Sequence, residues 1–244
     1  MIDSMTVYQL SAGALVLVIA YIVRGIAGFG SGLIAIPVLT LMLPISIVVP
    51  LVVLLDYIAS LSQGLKNRDD IRWKELLPLI PFSLAGVVVA LFFLTKSDAL
   101  ILTKALGVFI ILYAFYTLSG YTPKSGASKG WGVLAGFSGG LIGTLFGTGG
   151  PLYVTYFKAR GLGKAAFRTT MAVTFLLDGA GRLVGYASTG FFNKDFFILI
   201  AAALPVMAVS LYIGGHIHTK ITQLQFQRGI SVLLILSGSV LLLK

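Results

Sequence analysis

A glycine-rich break at residues 24–32 constrains the fold of this chain more than any other feature. It interrupts a strongly apolar run with four glycines and one charged residue, Arg24. Glycine adopts backbone angles that other residues resist, so a helix can stop and restart at such a cluster. In a bilayer, the freed backbone groups must be satisfied by protein or by a water-filled cavity. The break therefore predicts a binding site beside a positive charge, and a second break at residues 143–151 predicts another.

Composition places the breaks in a polytopic membrane protein. The 244-residue chain is 57% hydrophobic and 11% charged, whereas a soluble domain is about 25% charged. Its net charge of +10 lies in short loops between apolar stretches, which fits the positive-inside bias and gives no reason to expect nucleic acid. Because the chain has no cysteine, no disulfide or thiolate metal site is expected. The first residues lack a basic stretch, so the first apolar run is predicted to be a retained helix.

The hydropathy pattern predicts an all-α protein with ten helical stretches. A crossing needs about 20 apolar residues, so the two stretches that directly follow the breaks are too short to cross the membrane. The predicted stretches are 7–27, 31–43, 46–65, 76–95, 99–118, 131–147, 150–157, 168–189, 196–214 and 226–243.

The two halves of the sequence repeat. Residues 28–33 align with 147–152 at an offset of 119, and residues 54–56 align with 176–178 at an offset of 122. Duplication is common among transporters, and chance similarity among apolar helices is the alternative. The predicted segments are a first repeat at 1–120, a Pro-, Gly- and Ser-rich linker at 121–130 and a second repeat at 131–244.

The basic residues distinguish two arrangements of the breaks. If each break is a kink in one crossing helix, the 16 Lys and Arg residues other than Arg24 and Arg182 divide 8 inside and 8 outside. If each break is the tip of a re-entrant hairpin, the division is 12 inside and 4 outside, which fits the positive-inside rule better. Each half then has one hairpin and three crossings. The repeats are therefore predicted to have inverted topology, with hairpin tips that meet near the midplane.

Four ionisable side chains fall within apolar stretches, and each costs about 2.5–3.5 kcal/mol at the bilayer centre unless it pairs or faces water. Asp178 and Arg182 are four residues apart and are predicted to form an ion pair. That pair either ties helices together, or Arg182 meets an anionic substrate, or Asp178 takes up a coupling proton. Asp56 is predicted to pair with Arg24 or to bind a proton or cation, and a scaffold role for both carboxylates stays open. Arg24 has no acidic residue three or four positions away, so it is the first candidate for binding an anion.

The short helices after the breaks are predicted to begin near Ser31 and Gly150. Helix N-termini bind anions through free N–H groups and partial positive charge, and Thr144 and Thr148 add hydroxyl groups beside the second start. Close packing through small residues four apart is the alternative explanation of the glycines. The predicted substrate-binding residues are Arg24, Gly28, Gly30, Ser31, Gly32, Thr148, Gly149, Gly150 and Arg182.

The sequence carries no signal of catalysis, so no enzyme is expected. Residues 28–32 lack the Gly-Lys-Ser/Thr of a Walker loop and the preceding strand of a dinucleotide-binding fingerprint. His216 and His218 are two residues apart, which places them on different faces of a helix. No metal site and no cofactor are therefore expected, and transport is predicted to be secondary rather than driven by ATP.

One motif resembles a known family. The pattern Gly25-x-x-Gly28-x-Gly30-Ser31-Gly32-x-x-x-x-Pro37, repeated more loosely as Gly147-x-Gly149-Gly150-Pro151, is similar to that of the TauE/SafE sulfite exporter family, also called the toluene-sulfonate uptake permease family. Length, hydropathy and duplication match over essentially the whole chain. In the second copy, Tyr156 stands at the position of Pro37 and Pro151 at that of Gly32. The resemblance implies a bacterial membrane permease for small anions such as sulfite and sulfonates, in either direction.

Together these features predict a multi-pass protein of the bacterial inner membrane that moves small (organo)sulfur anions by secondary transport. An anion channel and a non-transporting membrane assembly protein are the alternatives. The expected partners are a small anionic substrate and the lipid bilayer. Coupling to protons or sodium ions and assembly into a homo-oligomer are left open.

Overall fold

The computed structural model describes residues 7–64, 68–120, 126, 128–217 and 223–243. Within these residues the regular structure is helical, and no strand forms. A 3-10 turn, Arg68–Asp70, precedes a short α4. The α-helices are α1 Val7–Ala27, α2 Ser31–Thr40, α3 Ile45–Gly64, α4 Trp73–Leu76, α5 Ile80–Lys96, α6 Ala99–Leu118, α7 Trp131–Phe146, α8 Gly150–Ala159, α9 Lys164–Ser188, α10 Lys194–His216 and α11 Gln223–Leu243.

Both predicted breaks separate a longer helix from a short one. α2 and α8 have ten residues each, so each is about 15 Å long, or half of the roughly 30 Å hydrocarbon core. Neither short helix crosses a membrane alone, as predicted. The preceding helices differ in length, since α1 has 21 residues and α7 has 16.

The long apolar helices make the chain a multi-pass membrane protein. Among the described residues, three helices are long and apolar enough to cross: Tyr8–Ala27, Ala99–Leu118 and Lys194–His216. The longest helix, α9, has 25 residues and is more polar than these three because it carries Asp178 and Arg182. α9 thus carries two of the four ionisable residues that fall within apolar stretches.

Large apolar side chains are exposed along most of the long helices. Examples are Leu15, Val88, Leu112, Val209 and Leu236. Such exposure is unfavourable in water but is expected of helices that face lipid, where tails are as apolar as leucine. The exposed surface therefore agrees with the membrane assignment made from composition.

The first compact unit consists of α1, α2, α6, α10, α11 and the start of α3 up to Val48. α1 packs along α10 and against α2, while α6 packs along α11. The crossing of α1 and α10 is close because a Cβ on Gly214 would overlap the Ile22 carbonyl, and one on Gly25 would overlap the α10 backbone. Small residues allow this backbone approach, which gives dispersion contacts that lipid cannot replace.

The second compact unit consists of α3 from Val49 onward, α4, α5, α7, α8 and α9. α5 packs along α7 and α9, and α7 packs against α8. Glycines again set the closest crossing, because a Cβ on Gly86 would overlap the Phe137 carbonyl and one on Gly140 would overlap the Ser83 carbonyl.

Each compact unit combines helices from both predicted repeats. The predicted repeats describe a duplication of the sequence, whereas the compact units describe which helices pack together. The units therefore do not test the repeat boundaries, which stay a prediction. Residues 121–125 and 127 of the predicted linker lie outside the described residues, as does His218.

Candidate functional site

The first break is built from two glycines with left-handed backbone angles. α1 ends at Ala27, and Gly28 and Gly30 have φ angles of 83° and 101°. Side chains disfavour this region by roughly 1–2 kcal/mol per residue. α2 then begins at Ser31, with Gly32 buried as its second residue. The two glycines at the break are therefore required by backbone conformation.

Arg24 lies at this break and is fully buried. Its Nη1 donates a hydrogen bond of 3.0 Å to the hydroxyl oxygen of Ser31, the first residue of α2. The Arg24 carbonyl accepts the Gly28 N–H at 2.6 Å, which closes the last turn of α1. The structure thus brings a guanidinium group and the start of a short helix together, as the sequence predicted.

The second break uses its glycines differently. Gly147 has a φ of 62°, whereas Gly149 has an ordinary φ of −67° and precedes α8, which starts at Gly150 with Pro151 in its first turn. Gly149 is required for space, because a Cβ there would overlap the Gly139 carbonyl and lie 2.9 Å from Nη2 of Arg182. Gly147 therefore permits the turn, and Gly149 leaves room for the guanidinium group of Arg182.

Asp178 and Arg182 form the predicted ion pair within α9, and both are buried. Nη2 of Arg182 donates to Oδ2 of Asp178 and, at 3.2 Å, to the Gly139 carbonyl on α7. A Cβ on Gly143 would overlap the guanidinium group. Arg182 therefore fills the gap that the α7 glycines leave beside the start of α8.

Three hydroxyl groups that the sequence did not single out complete this cluster. Ser83 on α5 donates to Oδ1 of Asp178, and its oxygen lies 3.1 Å from the Tyr153 hydroxyl on α8. Tyr186, one turn after Arg182, donates to the Thr144 carbonyl at 2.7 Å. Ser83 is 95 residues from Asp178, so no local spacing in the sequence signals this contact.

Two buried polar atoms at the second break remain unsatisfied. Nε of Arg182 and Oγ1 of Thr148 have no hydrogen-bond partner among the described residues. Thr148 is 2% exposed and Arg182 is 3% exposed. Buried donors are nearly always paired, because an unpaired one costs about 1–3 kcal/mol. Both groups are suited to bind an anion at the α8 N-terminus.

Asp56 lies on the part of α3 that belongs to the second unit, and its side chain is half-buried. Its backbone carbonyl accepts the Ser60 hydroxyl at 2.8 Å. Arg24 belongs to the first unit, so the predicted pairing of Arg24 with Asp56 stays a prediction.

Two polar loops of the second unit are in direct contact. Arg160, which follows α8, donates to Glu75 of α4 through Nε at 2.7 Å and Nη2 at 3.0 Å. This bidentate bond holds the pKa of Glu75 below its ordinary value. The Arg72 N–H also donates to the Thr170 hydroxyl at 3.1 Å. Gly126 of the predicted linker donates its N–H to the Ala159 carbonyl at 2.9 Å.

Metal-ligand geometry is not found in the part of the chain that the structure describes. Within it, no three His, Asp or Glu side chains are grouped closely enough to hold a metal ion. The chemistry of the cluster is instead that of hydrogen-bond donors and one ion pair.

Comparison with known proteins agrees with this architecture. The chain is 27% identical over 192 residues to the probable inner membrane transporter protein TsaS of Comamonas testosteroni, an alignment covering 77% of this chain and 80% of that protein. It is 26% identical over 200 residues to the probable sulfite/organosulfonate exporter TauE of Cupriavidus necator, covering 78% of this chain and 76% of that protein. No solved structure matches the chain significantly. The sequence model of the family described as sulfite exporter TauE/SafE matches residues 13–241, and the chain belongs to that family.

Proposed function

We propose that this protein is a secondary transporter of small (organo)sulfur anions, such as sulfite or sulfonates, across the bacterial inner membrane. One observation carries the proposal: at the start of α8, a buried guanidinium N–H of Arg182 and the buried hydroxyl of Thr148 lack partners among the residues that the structure describes. An anion at the start of α8 that accepts hydrogen bonds from both groups satisfies these two donors.

The proposed substrate class follows from the donors and from the relatives. Sulfite and sulfonate groups present several oxygen acceptors in a compact head, which suits a cluster of converging donors. One relative bears the name sulfite/organosulfonate exporter, and the other the name inner membrane transporter. Import and export are both compatible with the cluster.

The first break is proposed to be an anion-binding site of the first unit. A short helix begins at this break, and the Arg24 guanidinium group donates a hydrogen bond to its first residue, Ser31. The residues proposed to bind an anion here are Arg24, Gly28, Gly30, Ser31 and Gly32. In this proposal Gly149 and Gly150 shape the second site, and Asp56 and Asp178 act as coupling or structural carboxylates.

We further propose the re-entrant arrangement with inverted repeats. The bond between Glu75 and Arg160 supports it, because the two loops that these residues border lie on opposite sides in the kinked arrangement. A hydrocarbon core of about 30 Å separates the two sides, so groups 2.7 Å apart lie on one side.

Helix packing within each unit supports the repeat. Suppose that α1 corresponds to α7 in the repeat and that α5 corresponds to α10. The equivalent of the α1–α10 packing is then packing of α7 with α5, and both pairs are in contact. Both crossings depend on glycine, because a Cβ on Gly214 would overlap the Ile22 carbonyl and one on Gly86 would overlap the Phe137 carbonyl. Such pairing is what duplicated transporters display.

Transport by purified protein in liposomes tests the proposal. With sulfite, sulfate, sulfoacetate and taurine as candidate substrates, we expect saturable uptake of at least one sulfite- or sulfonate-type anion, driven by a proton or sodium gradient. An anion channel would instead pass current that follows voltage. A non-transporting assembly protein would show no thermal stabilisation by any of these compounds, and that result would contradict the proposal.

A further inference from the structure

We propose that binding of a monovalent anion at the second break is coupled to uptake of one proton by Asp178. The inference rests on the proposed function, because it concerns the site that Arg182 and Thr148 form at the start of α8. It identifies the proton as the coupling ion and names the carboxylate that takes it.

The Asp178 carboxylate is completely buried, and both of its oxygens are engaged. Oδ1 accepts a hydrogen bond from Ser83, and Oδ2 accepts one from Arg182, its ion-pair partner. A buried carboxylate is stable only when a positive charge and hydrogen bonds compensate for its lost hydration. Asp178 therefore depends on the same guanidinium group whose Nε is proposed to meet the substrate.

Anion binding changes the charge balance of this cluster. Without substrate, Arg182 and Asp178 are a neutral pair, and one bound monovalent anion adds a full negative charge. The α8 N-terminus offsets only about half of a charge. A proton from bulk water on Asp178 compensates for the charge that the anion adds, and the only bond formed is O–H on the carboxyl group. Arg182 keeps its charge, because guanidinium groups do not lose protons in proteins.

Neighbouring hydroxyl groups accommodate either protonation state of the carboxyl group. The oxygens of Ser83 and Tyr153 are 3.1 Å apart, and either can donate. When Asp178 is ionised, Ser83 donates to the carboxylate and accepts from Tyr153. When Asp178 is protonated, its O–H donates to Ser83, which in turn donates to Tyr153. A buried group that changes protonation needs such reversible partners, because an unsatisfied one is costly.

Besides Arg182, the phenol groups of Tyr153 on α8 and Tyr186 on α9 lie near Asp178. The Tyr57 ring on α3 lies beside Gly179, the next residue of α9. α5 and α7 contribute a hydroxyl group and a backbone carbonyl to the cluster. The charged residues of the 3-10 turn and α4 approach α9 near Thr170, about 12 Å along the helix from Asp178.

Proton uptake during binding tests the inference directly. Purified wild-type protein in weakly buffered detergent solution is mixed with methanesulfonate, and proton uptake is read from a pH indicator. The sulfonate stays ionised throughout, so the ligand itself contributes no proton change. We expect uptake approaching one proton per bound anion, and an affinity that falls by up to about tenfold per pH unit above neutral pH. The wild-type measurement requires no variant to fold.

Two variants identify the group that takes the proton. Asp178→Asn should bind methanesulfonate without proton uptake and with an affinity independent of pH. Asp98→Asn is the matched control and should keep proton uptake, because Asp98 is an exposed helix cap whose hydrogen bond asparagine can also accept. Wild-type binding without proton uptake, or proton uptake that is retained in Asp178→Asn, would overturn the inference while leaving anion binding intact. Absence of methanesulfonate, sulfite and sulfonate binding altogether would overturn the proposed function as well.

Discussion

At the scale of single residues, the buried ion pair of α9 is the feature most sensitive to substitution. Arg182→Gln leaves the Asp178 carboxylate buried without its counter-charge. Removing one partner of a buried pair costs about 3–5 kcal/mol, so we expect the free energy of unfolding to fall by roughly that amount. Thermal unfolding in detergent measures the change. Adding Asp178→Asn to the same protein should restore part of the stability, and an unchanged melting temperature in Arg182→Gln would contradict the ion-pair argument.

The glycines at the two breaks should respond differently to alanine. Gly30→Ala forces a Cβ into a left-handed conformation and should cost about 1–2 kcal/mol, although no atom lies within 4 Å of that Cβ. Gly149→Ala displaces the Arg182 guanidinium group, so we expect weaker anion binding as well as lower stability. Gly229→Ala, at a helical position with open space, is the matched control. Isothermal titration and thermal unfolding separate the two effects, and normal affinity in Gly149→Ala would exclude its role in shaping the site.

Arg24 provides a third residue-scale prediction. A hydrogen bond to a charged group contributes about 1.5–3 kcal/mol, so Arg24→Gln should weaken anion affinity by about tenfold to a hundredfold. Arg24→Lys is the matched control, because it keeps the positive charge and should retain more of the affinity than Arg24→Gln does. If Arg24→Gln binds and transports like the wild type while Arg182→Gln loses both, the anion is bound by the second break alone.

Part of this residue-scale picture could be predicted from the sequence. Charges in apolar stretches are costly, so Arg24, Asp178 and Arg182 stand out, and the spacing of four predicts the ion pair. Ser83 and Tyr153 could not be found in this way, because serine and tyrosine are common in membrane helices and their partners are 95 and 70 residues distant. Tertiary packing alone brings them together.

At the scale of helices, hydropathy predicted nearly every element because lipid leaves few alternatives to helix. Both short helices begin where the glycines predicted, at Ser31 and Gly150. The stretch predicted to begin at residue 76 differs, since α5 starts at Ile80 after a separate α4. Pro78 accounts for the gap, because it lacks the N–H that a continuous helix requires.

The junction between α4 and α8 provides an element-scale prediction about pH. The hydrogen bond from Arg160 holds the pKa of Glu75 below its ordinary 4.5. Because the folded pKa is lower, the stabilisation is complete above the ordinary value and is lost as pH falls through the lowered value. Glu75→Gln should therefore reduce the melting temperature at neutral pH, and its difference from the wild type should shrink in acid. Lys74→Gln, at an exposed neighbouring position, is the control. A constant difference from neutral to acid pH would contradict the assignment.

At the scale of the whole molecule, the two proposed repeats bring a guanidinium group to their breaks in different ways. At the repeat offset of 119 residues, Gly143 aligns with Arg24. In the first unit the guanidinium group comes from α1 itself. In the second unit the equivalent α7 position is a glycine, and the guanidinium group enters from α9 through the space that this glycine leaves. We infer that each repeat provides one guanidinium group to its break, from a different helix.

The membrane arrangement is the last prediction, and the chain is well suited to testing it because it has no native cysteine. Lys74, Lys96 and Lys164 are exposed and lie outside the three long apolar helices. In the re-entrant arrangement, cysteines replacing Lys74 and Lys164 face the cytoplasm, and a cysteine replacing Lys96 faces the periplasm. In the kinked arrangement, the cysteine replacing Lys164 faces the periplasm, as does the cysteine replacing Lys96.

A membrane-impermeant maleimide applied to intact cells distinguishes these outcomes. We expect it to label Lys96→Cys and to leave Lys74→Cys and Lys164→Cys unlabelled until the cells are lysed. The expectation follows from the contact of Glu75 with Arg160, because those residues border the loops that carry positions 74 and 164. Labelling of Lys164→Cys together with Lys96→Cys in intact cells would show that each break is a kink in a crossing helix, and the inverted repeat would then be wrong.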